Sequence, residues 1–179
     1  MEKNKNYNVE LATYEDIEEI DELFNAVHDY LETHVNYPGW KRGVYPARED
    51  AIGGVQKHNL FVLRVDGEIA GTIAFFHQPE PAYLPVKWQI DIDYSQVTVI
   101  HTVTVHPKFF KQGLAKLLMD FAKEYSINNN IKSIRLDVSE KNIPAIALYE
   151  KSGYKYIDTV DLGLNIPDLK WFKLYELVL

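Results

Sequence analysis

The segment His106-Pro107-Lys108-Phe109-Phe110-Lys111-Gln112-Gly113-Leu114-Ala115-Lys116 has the makings of an anion seat. A β-branched run ends just before it and a helical stripe of apolar residues begins at its far end. The first turn of a helix carries N–H groups without intrahelical partners, and the helix dipole adds about half a positive charge there. A phosphate can rest on those groups if no bulky side chain intervenes, and Gly113 and Ala115 keep the approach open. Lys108, Lys111 and Lys116 raise the local potential in a chain whose formal net charge is -7. The same residues also suit a plain turn before a helix. Neither the G-x-G-x-x-G of a dinucleotide fold nor the G-K-[ST] of a P-loop occurs in the segment.

Two further stretches could meet a cation. Trp40 to Tyr45 is an irregular aromatic segment, and Tyr83 to Tyr94 mixes Trp88 and Tyr94 with Asp91 and Asp93. Ring faces with carboxylates favour ammonium groups; an exposed hairpin with solvated acids would look the same. The 26 acidic residues outnumber the 19 basic ones, which argues against nucleic acid as partner and suits a cationic one. With no cysteine, disulfides, a thiol nucleophile and thiolate metal sites are excluded. His28, His34, His58 and His77 show no paired metal spacing, so no metal is expected. Met1 to Asn8 is polar and expected to be flexible. The sequence holds no apolar run near the roughly 20 residues of a membrane-spanning helix, so a cytoplasmic protein without a membrane partner is expected.

The elements that must position these residues emerge from periodicity. Val9–Ala12 reads as a short strand. Thr13, with Asp16 three residues on, reads as a cap for an amphipathic helix over Tyr14–Leu31, whose apolar face is Ile17, Ile20, Phe24, Val27 and Leu31. A second helix is expected over Arg48–Lys57. Leu60–Val65 and Glu68–Phe76 form a hairpin about Asp66-Gly67, a pair suited to a type I′ turn. Gln78–Ser95 holds three prolines and reads as a long connection with room for a short strand.

Val97–Val105 is the strongest strand signal. Val97, Val99, His101, Val103 and Val105 fall on one face and Thr98, Ile100, Thr102 and Thr104 on the other; His106 is a turn residue. The following helix places Leu114, Leu117, Leu118, Phe121 and Tyr125 on one stripe and stops at Asn128-Asn129-Asn130. Ile134–Val138 is a strand, Pro144–Ser152 a short helix with Gly153 as its left-handed cap, and Tyr154–Val160 and Trp171–Val178 are strands. Strand-helix-strand crossovers mixed with hairpins imply a mixed α/β sheet with helices on its faces, in one domain over residues 1–179.

On two motifs the chain resembles the GNAT acetyltransferase superfamily. The first is [Arg/Gln]-x-x-Gly-x-[Gly/Ala] after a central strand, here Phe110-Lys111-Gln112-Gly113-Leu114-Ala115, which departs from the pattern in having Phe at the first position. The second is Asn-x-x-Ala-x-x-Leu-Tyr-x-x-x-Gly-[Phe/Tyr], matched throughout by Asn142 to Tyr154. The segment Trp40–Ala47 also looks like one seen in small bacterial members. The resemblance implies a sheet of six to seven strands with about four helices, and transfer of acetyl from acetyl-CoA to an amine.

By the same resemblance, Val103, Thr104 and Val105 present backbone groups to the pantetheine arm. Lys111, Gln112, Gly113, Leu114, Ala115 and Lys116 hold the pyrophosphate. Asn142 lies near the pantetheine amides, or caps its helix, or both. Tyr149 protonates the departing coenzyme A sulfur, unless it is a packed core tyrosine. His101 is the best candidate base, since an imidazole titrates near neutrality and relatives often place a polar group mid-strand, although a satisfied structural histidine is the more common reading of such a residue. Trp40, Tyr45 and Trp88 are the candidate acceptor-binding residues. A small-molecule amine is the expected acceptor. A protein amine, or acyl-CoA binding without turnover, remains open, and the resemblance allows a homodimer.

Overall fold

The computed structural model describes residues 5–179. Seven strands lie in the order β1-β2-β3-β4-β5-β7-β6, and four α-helices accompany them. This is the mixed α/β architecture expected from the sequence. Chain contacts divide into two compact units. One comprises Met1–Val35, Trp40–Ala74 and Thr102–Leu118; the other comprises Asn36–Gly39, Phe75–His101 and Met119–Leu179.

In the first unit β1 (Tyr7–Leu11) and β2 (Leu60–Val65) are antiparallel from Tyr7↔Val65 to Leu11↔Phe61. The flexible terminus expected over residues 1–8 is thus corrected at Tyr7 and Asn8, which pair with β2; residues 1–4 lie outside the described residues. β2 turns through Asp66 (φ +51°) and Gly67 (φ +92°) into β3 (Glu68–Phe76), the left-handed pair that a type I′ turn requires. A single 3-10 turn precedes α1 (Ile17–Thr33), and α2 (Arg48–Gln56) comes after it.

The α1 start is built as its sequence indicates. Asp16 Oδ2 accepts the Thr13 backbone N–H at 2.8 Å and the Thr13 hydroxyl at 3.1 Å, and Arg64 donates to Asp16 Oδ1 at 2.6 Å. Burial pushes the Asp16 carboxyl up, but the Thr13 N–H and the Arg64 guanidinium outweigh it and leave it below its ordinary value. α1 buries Ile17, Ile20, Leu23, Phe24, Val27 and His28. Each full-sized apolar side chain so removed from water contributes roughly 1.5–3 kcal/mol.

The second unit takes most of β4 (Val97–Val105), the greater part of α3 (Leu114–Asn128), and then β5 (Ser133–Ser139), α4 (Ile143–Lys151), β6 (Lys155–Asp161) and β7 (Trp171–Val178). β5 and β7 are antiparallel along their whole length, from Ser133↔Val178 to Ser139↔Phe172. β4 and β5 are parallel, with a ladder over Val97↔Ser133, Thr98↔Ile134 and Val99↔Arg135.

Three local expectations are corrected. No strand forms within Gln78–Ser95 among the described residues; the segment instead makes 3-10 turns at Pro81–Tyr83 and Tyr94–Gln96, as its prolines favour. Leu117 is 37% exposed and leaves the α3 stripe, whose buried members are Leu114, Leu118, Met119, Ala122 and Ser126. In β4 strict alternation fails: Val97, Thr98, Val99 and Ile100 are all buried, and Thr102 adopts φ +53°. A left-handed residue inside a strand is the mark of a bulge, which bends the strand and re-aims the residues beyond it.

Candidate active site

In the first unit β4 ends in a turn that the backbone shapes tightly. His106 N–H donates to Ala70 O at 2.8 Å, closing the strand. Burial, then the Lys108 charge, holds the His106 imidazole below its ordinary value, so the neutral ring accepts the Lys108 N–H on Nδ1 at 3.1 Å. A 3-10 turn over Pro107–Phe109 comes next. Lys111 (φ +63°) and Gly113 (φ +77°) are both left-handed, and the Gly113 carbonyl takes the Leu117 N–H at 3.1 Å as the helix begins. Left-handed residues in such a turn curl successive N–H groups toward one concave side.

A Cβ on Gly113 would meet nothing within 4 Å, and Lys111, Gln112, Gly113 and Lys116 are exposed while Leu114 is buried. The turn therefore offers open backbone anchored by one apolar side chain, which fits a diphosphate. Lys108 is drawn off to Glu68, and Gln112 receives Lys5. Phe110 packs edge-on against Tyr30 of α1 at 5.0 Å. That contact gives the apolar residue at the motif's first position a packing partner.

Upstream of the turn, β4 is clamped. Thr72 donates its hydroxyl to Thr102 O at 3.1 Å and shares a 2.6 Å hydrogen bond with Thr104 Oγ1. Gly71 lets the strands close up, because a Cβ there would sit 2.6 Å from Thr104 O. Thr104 is buried with its hydroxyl occupied, and Val103 and Val105 are half-buried. Tyr45 reaches Thr102 Oγ1 with its hydroxyl at 2.5 Å, and Trp40 meets the Tyr45 ring edge-on at 5.8 Å. His28 holds the same loop through Pro46 O at 2.9 Å.

The second unit carries the other candidates. Asn142 caps α4: its Oδ1 accepts the Ala145 N–H at 3.3 Å. Two helical turns on, Tyr149 is 8% exposed, with its ring 6.1 Å from Tyr154 and 6.4 Å from Tyr175. Burial raises both neighbouring phenols. Tyr175, which donates to Glu150 Oε1 at 2.8 Å, is pushed up to about 12.

His101 is half-buried with Nε2 3.8 Å from Glu80 Oε1. Trp88 gives its indole N–H to Tyr83 O at 3.1 Å and lies over the Arg135 guanidinium at 4.4 Å, so its ring is engaged inside this unit. Asp93 caps the turn at Ser95, whose hydroxyl and then its backbone N–H, at 2.8 Å, hold the carboxyl below the ordinary value. Sequence reasoning missed Asp137, Tyr83 and Glu80 around His101. The one readable sign was a lone acid, Asp137, inside an apolar strand. The structure brings Trp40 together with Tyr45 and Thr102, and His101 together with Glu80. Among the described residues no group of acidic or histidine side chains could hold a metal ion, and no helix is long and apolar enough to cross a membrane.

A model of the acetyltransferase (GNAT) family matches residues 18–154, and the chain belongs to that family. An uncharacterised N-acetyltransferase of Methanocaldococcus jannaschii is 24% identical over 159 residues, covering 87% of this chain; the chain spans only 64% of that relative's length. A streptothricin acetyltransferase of Escherichia coli is 26% identical over 131 residues, 72% of this chain and 68% of that protein. Among solved structures, an acetyltransferase of Salmonella typhimurium with acetyl-CoA bound superposes with a TM-score of 0.70 at 16% identity, over 97% of this chain and 94% of that one. At that identity the superposition establishes the fold.

Proposed function

We propose that this chain is an N-acetyltransferase that moves the acetyl group of acetyl-CoA to the primary amine of a small molecule by direct attack. The observation that carries the reading is the turn at Lys111–Lys116, with two left-handed residues and open space at Gly113 in front of a helix start. Its N–H groups receive the coenzyme pyrophosphate. The backbone of Val103, Thr104 and Val105 holds the pantetheine arm in the manner of an added strand, a role that suits a β4–β5 ladder ending at Val99. Asn142 adds its amide N–H groups, since its oxygen is taken by the helix cap.

The chemistry needs a neutral amine and a proton for the departing thiolate. His101 takes the ammonium proton. The nitrogen lone pair attacks the thioester carbon, the C–S bond breaks, Tyr149 gives its phenolic proton to the sulfur, and the surplus N–H proton of the attacking nitrogen leaves to solvent, from which the Tyr149 phenolate is reprotonated. Trp40 and Tyr45 offer rings and a hydroxyl to the acceptor. The acidic balance of the chain favours an acceptor that arrives as a cation. The streptothricin-acetylating relative is consistent with a small-molecule acceptor.

Two measurements test the proposal. Titration calorimetry with acetyl-CoA and with CoA should show binding to both; correctly folded protein that binds neither refutes it. Thiol release from acetyl-CoA, followed across polyamines, amino-acid esters, arylalkylamines, aminoglycosides and lysine-containing peptides, should be fastest with a small amine. A peptide that outruns every small amine would move the acceptor class to proteins.

A further inference from the structure

The second unit gathers around His101 several side chains that acetyl transfer as proposed leaves without a role. Glu80 Oε1 faces His101 Nε2 at 3.8 Å, and Phe76 meets the imidazole edge-on at 4.9 Å. Asp137 on β5 is near enough for the His101 charge to favour its ionised form, and its Oδ2 accepts the Tyr83 hydroxyl at 2.6 Å. Tyr83 is wholly buried, and burial, then the Asp137 charge, pushes its phenol well up, so it stays an O–H donor and fixes Asp137 in place. Burial pushes Asp137 up, His101 and Tyr83 pull it down, and Glu80 adds a further push upward. Glu80 thus faces the imidazole across 3.8 Å, and Asp137 feels both the imidazole and Glu80. His77 stands apart, bonded through Nδ1 to Val97 O at 2.7 Å.

Resting on the acetyl-transfer reading, we propose that Glu80 and Asp137 are positioning residues for His101. Glu80 draws the Nε2 proton and leaves the Nδ1 lone pair basic, while Asp137, held by Tyr83, stabilises the imidazolium. The ring nitrogen that faces a carboxylate carries the proton, and the other is then the acceptor. When the acceptor's ammonium N–H bond breaks, its electron pair stays on nitrogen as the attacking lone pair and the proton goes to Nδ1. Nε2 then releases a proton toward Glu80, whose side chain is 45% exposed and can hand it to water. At 3.8 Å the Nε2–Glu80 contact is longer than a hydrogen bond, so one water or a small closure on binding completes it.

The test reads His101 directly. Imidazole NMR titration of the full chain, with His101→Gln to identify the signal, gives its midpoint in wild type, Glu80→Gln, Glu80→Asp and Asp137→Asn. A partly exposed carboxylate favours the imidazolium by the equivalent of about half a pH unit. Glu80→Gln should therefore lower the midpoint by about that amount, Asp137→Asn should lower it as well, and Glu80→Asp should retain part of the effect. The acidic limb of kcat/KM, followed by thiol release with the fastest amine of the panel, should move to lower pH by the same amount. A midpoint unmoved in both Glu80→Gln and Asp137→Asn overturns the proposal. A midpoint that moves without the kinetic limb also overturns it, yet leaves acetyl transfer standing. A wild type that releases no thiol with any amine removes the acetyl-transfer reading itself, and the relay with it. Glu80 is half-exposed, so Glu80→Gln keeps the result readable even if Asp137→Asn fails to fold.

Discussion

Replacing Glu176 by Gln should cost this protein about 4 kcal/mol, although the side chain keeps its shape. Glu176 and Arg135 are 0% and 2% exposed. Glu176 Oε1 accepts Arg135 Nε at 2.9 Å and Ser133 Oγ at 2.7 Å, and Oε2 accepts the Gln89 backbone N–H at 2.6 Å. Arg135 also donates to Ile90 O at 2.8 Å and lies over the rings of Trp88 and Tyr94. The amide of Glu176→Gln must aim an NH2 at groups that already donate, and it leaves the Arg135 charge buried without its counter-ion. Breaking one side of such a pair costs about 3–5 kcal/mol. For a chain of this size each kcal/mol moves the midpoint by about 2–4 °C, so Tm should fall by about 6–20 °C in differential scanning calorimetry. The double variant Arg135→Met/Glu176→Leu removes both charges and should recover part of the loss. A Glu176→Gln midpoint within about 2 °C of wild type, or a double variant no better than the single one, would refute the reasoning.

The other sites give further expected outcomes. Tyr149→Phe should lower kcat by roughly 10²-fold with a smaller change in coenzyme affinity, measured by thiol release and calorimetry; unchanged turnover removes Tyr149 from the mechanism. Gly113→Ala meets no atom within 4 Å but is forced to hold φ +77°, at about 1–2 kcal/mol. Acetyl-CoA affinity should therefore weaken by roughly 5–30-fold, and wild-type affinity would show that the turn is not the phosphate seat. Asp16 has a lowered carboxyl, so its stabilising share is present above the ordinary carboxylate range and is lost as pH falls through its folded value. Asp16→Asn should then be less stable than wild type at neutral pH and converge with it on acidification in urea melts; a constant gap across pH would contradict the linkage.

The features legible in the sequence were local ones. The Leu60–Phe76 hairpin is specified by two largely apolar, β-branched runs and one Asp-Gly pair. The α4 segment carries its own cap, stripe and glycine stop within Asn142–Gly153. The turn at Lys111–Lys116 was visible for the same reason, as the residues that shape it are neighbours in the chain. Features that depend on distant partners escaped notice. Arg135 and Glu176 are 41 positions apart and Tyr83 and Asp137 are 54, so nothing in either neighbourhood announces the pairing. Trp88 stands over Arg135, a partner that its own neighbours in the chain do not announce. Thr102 gave no sign of its left-handed backbone, because a β-branched residue in a valine-rich run argues for plain extension. Leu117 was assigned to the buried stripe because a helical period alone leaves the width of that stripe open.

The hydroxyl of Tyr45 resting on Thr102 has a bearing on how new acceptor preferences could arise in this protein. The loop that carries Trp40 and Tyr45 is mechanically tied to β4 at the left-handed residue Thr102. Enlarging or reshaping the loop at Tyr45 would therefore also relax the strand that we propose holds the pantetheine arm. Directed evolution toward bulkier amines should accumulate changes at Trp40 and its exposed neighbours first, and reach Tyr45 only together with a compensating change at Thr72 or Thr102.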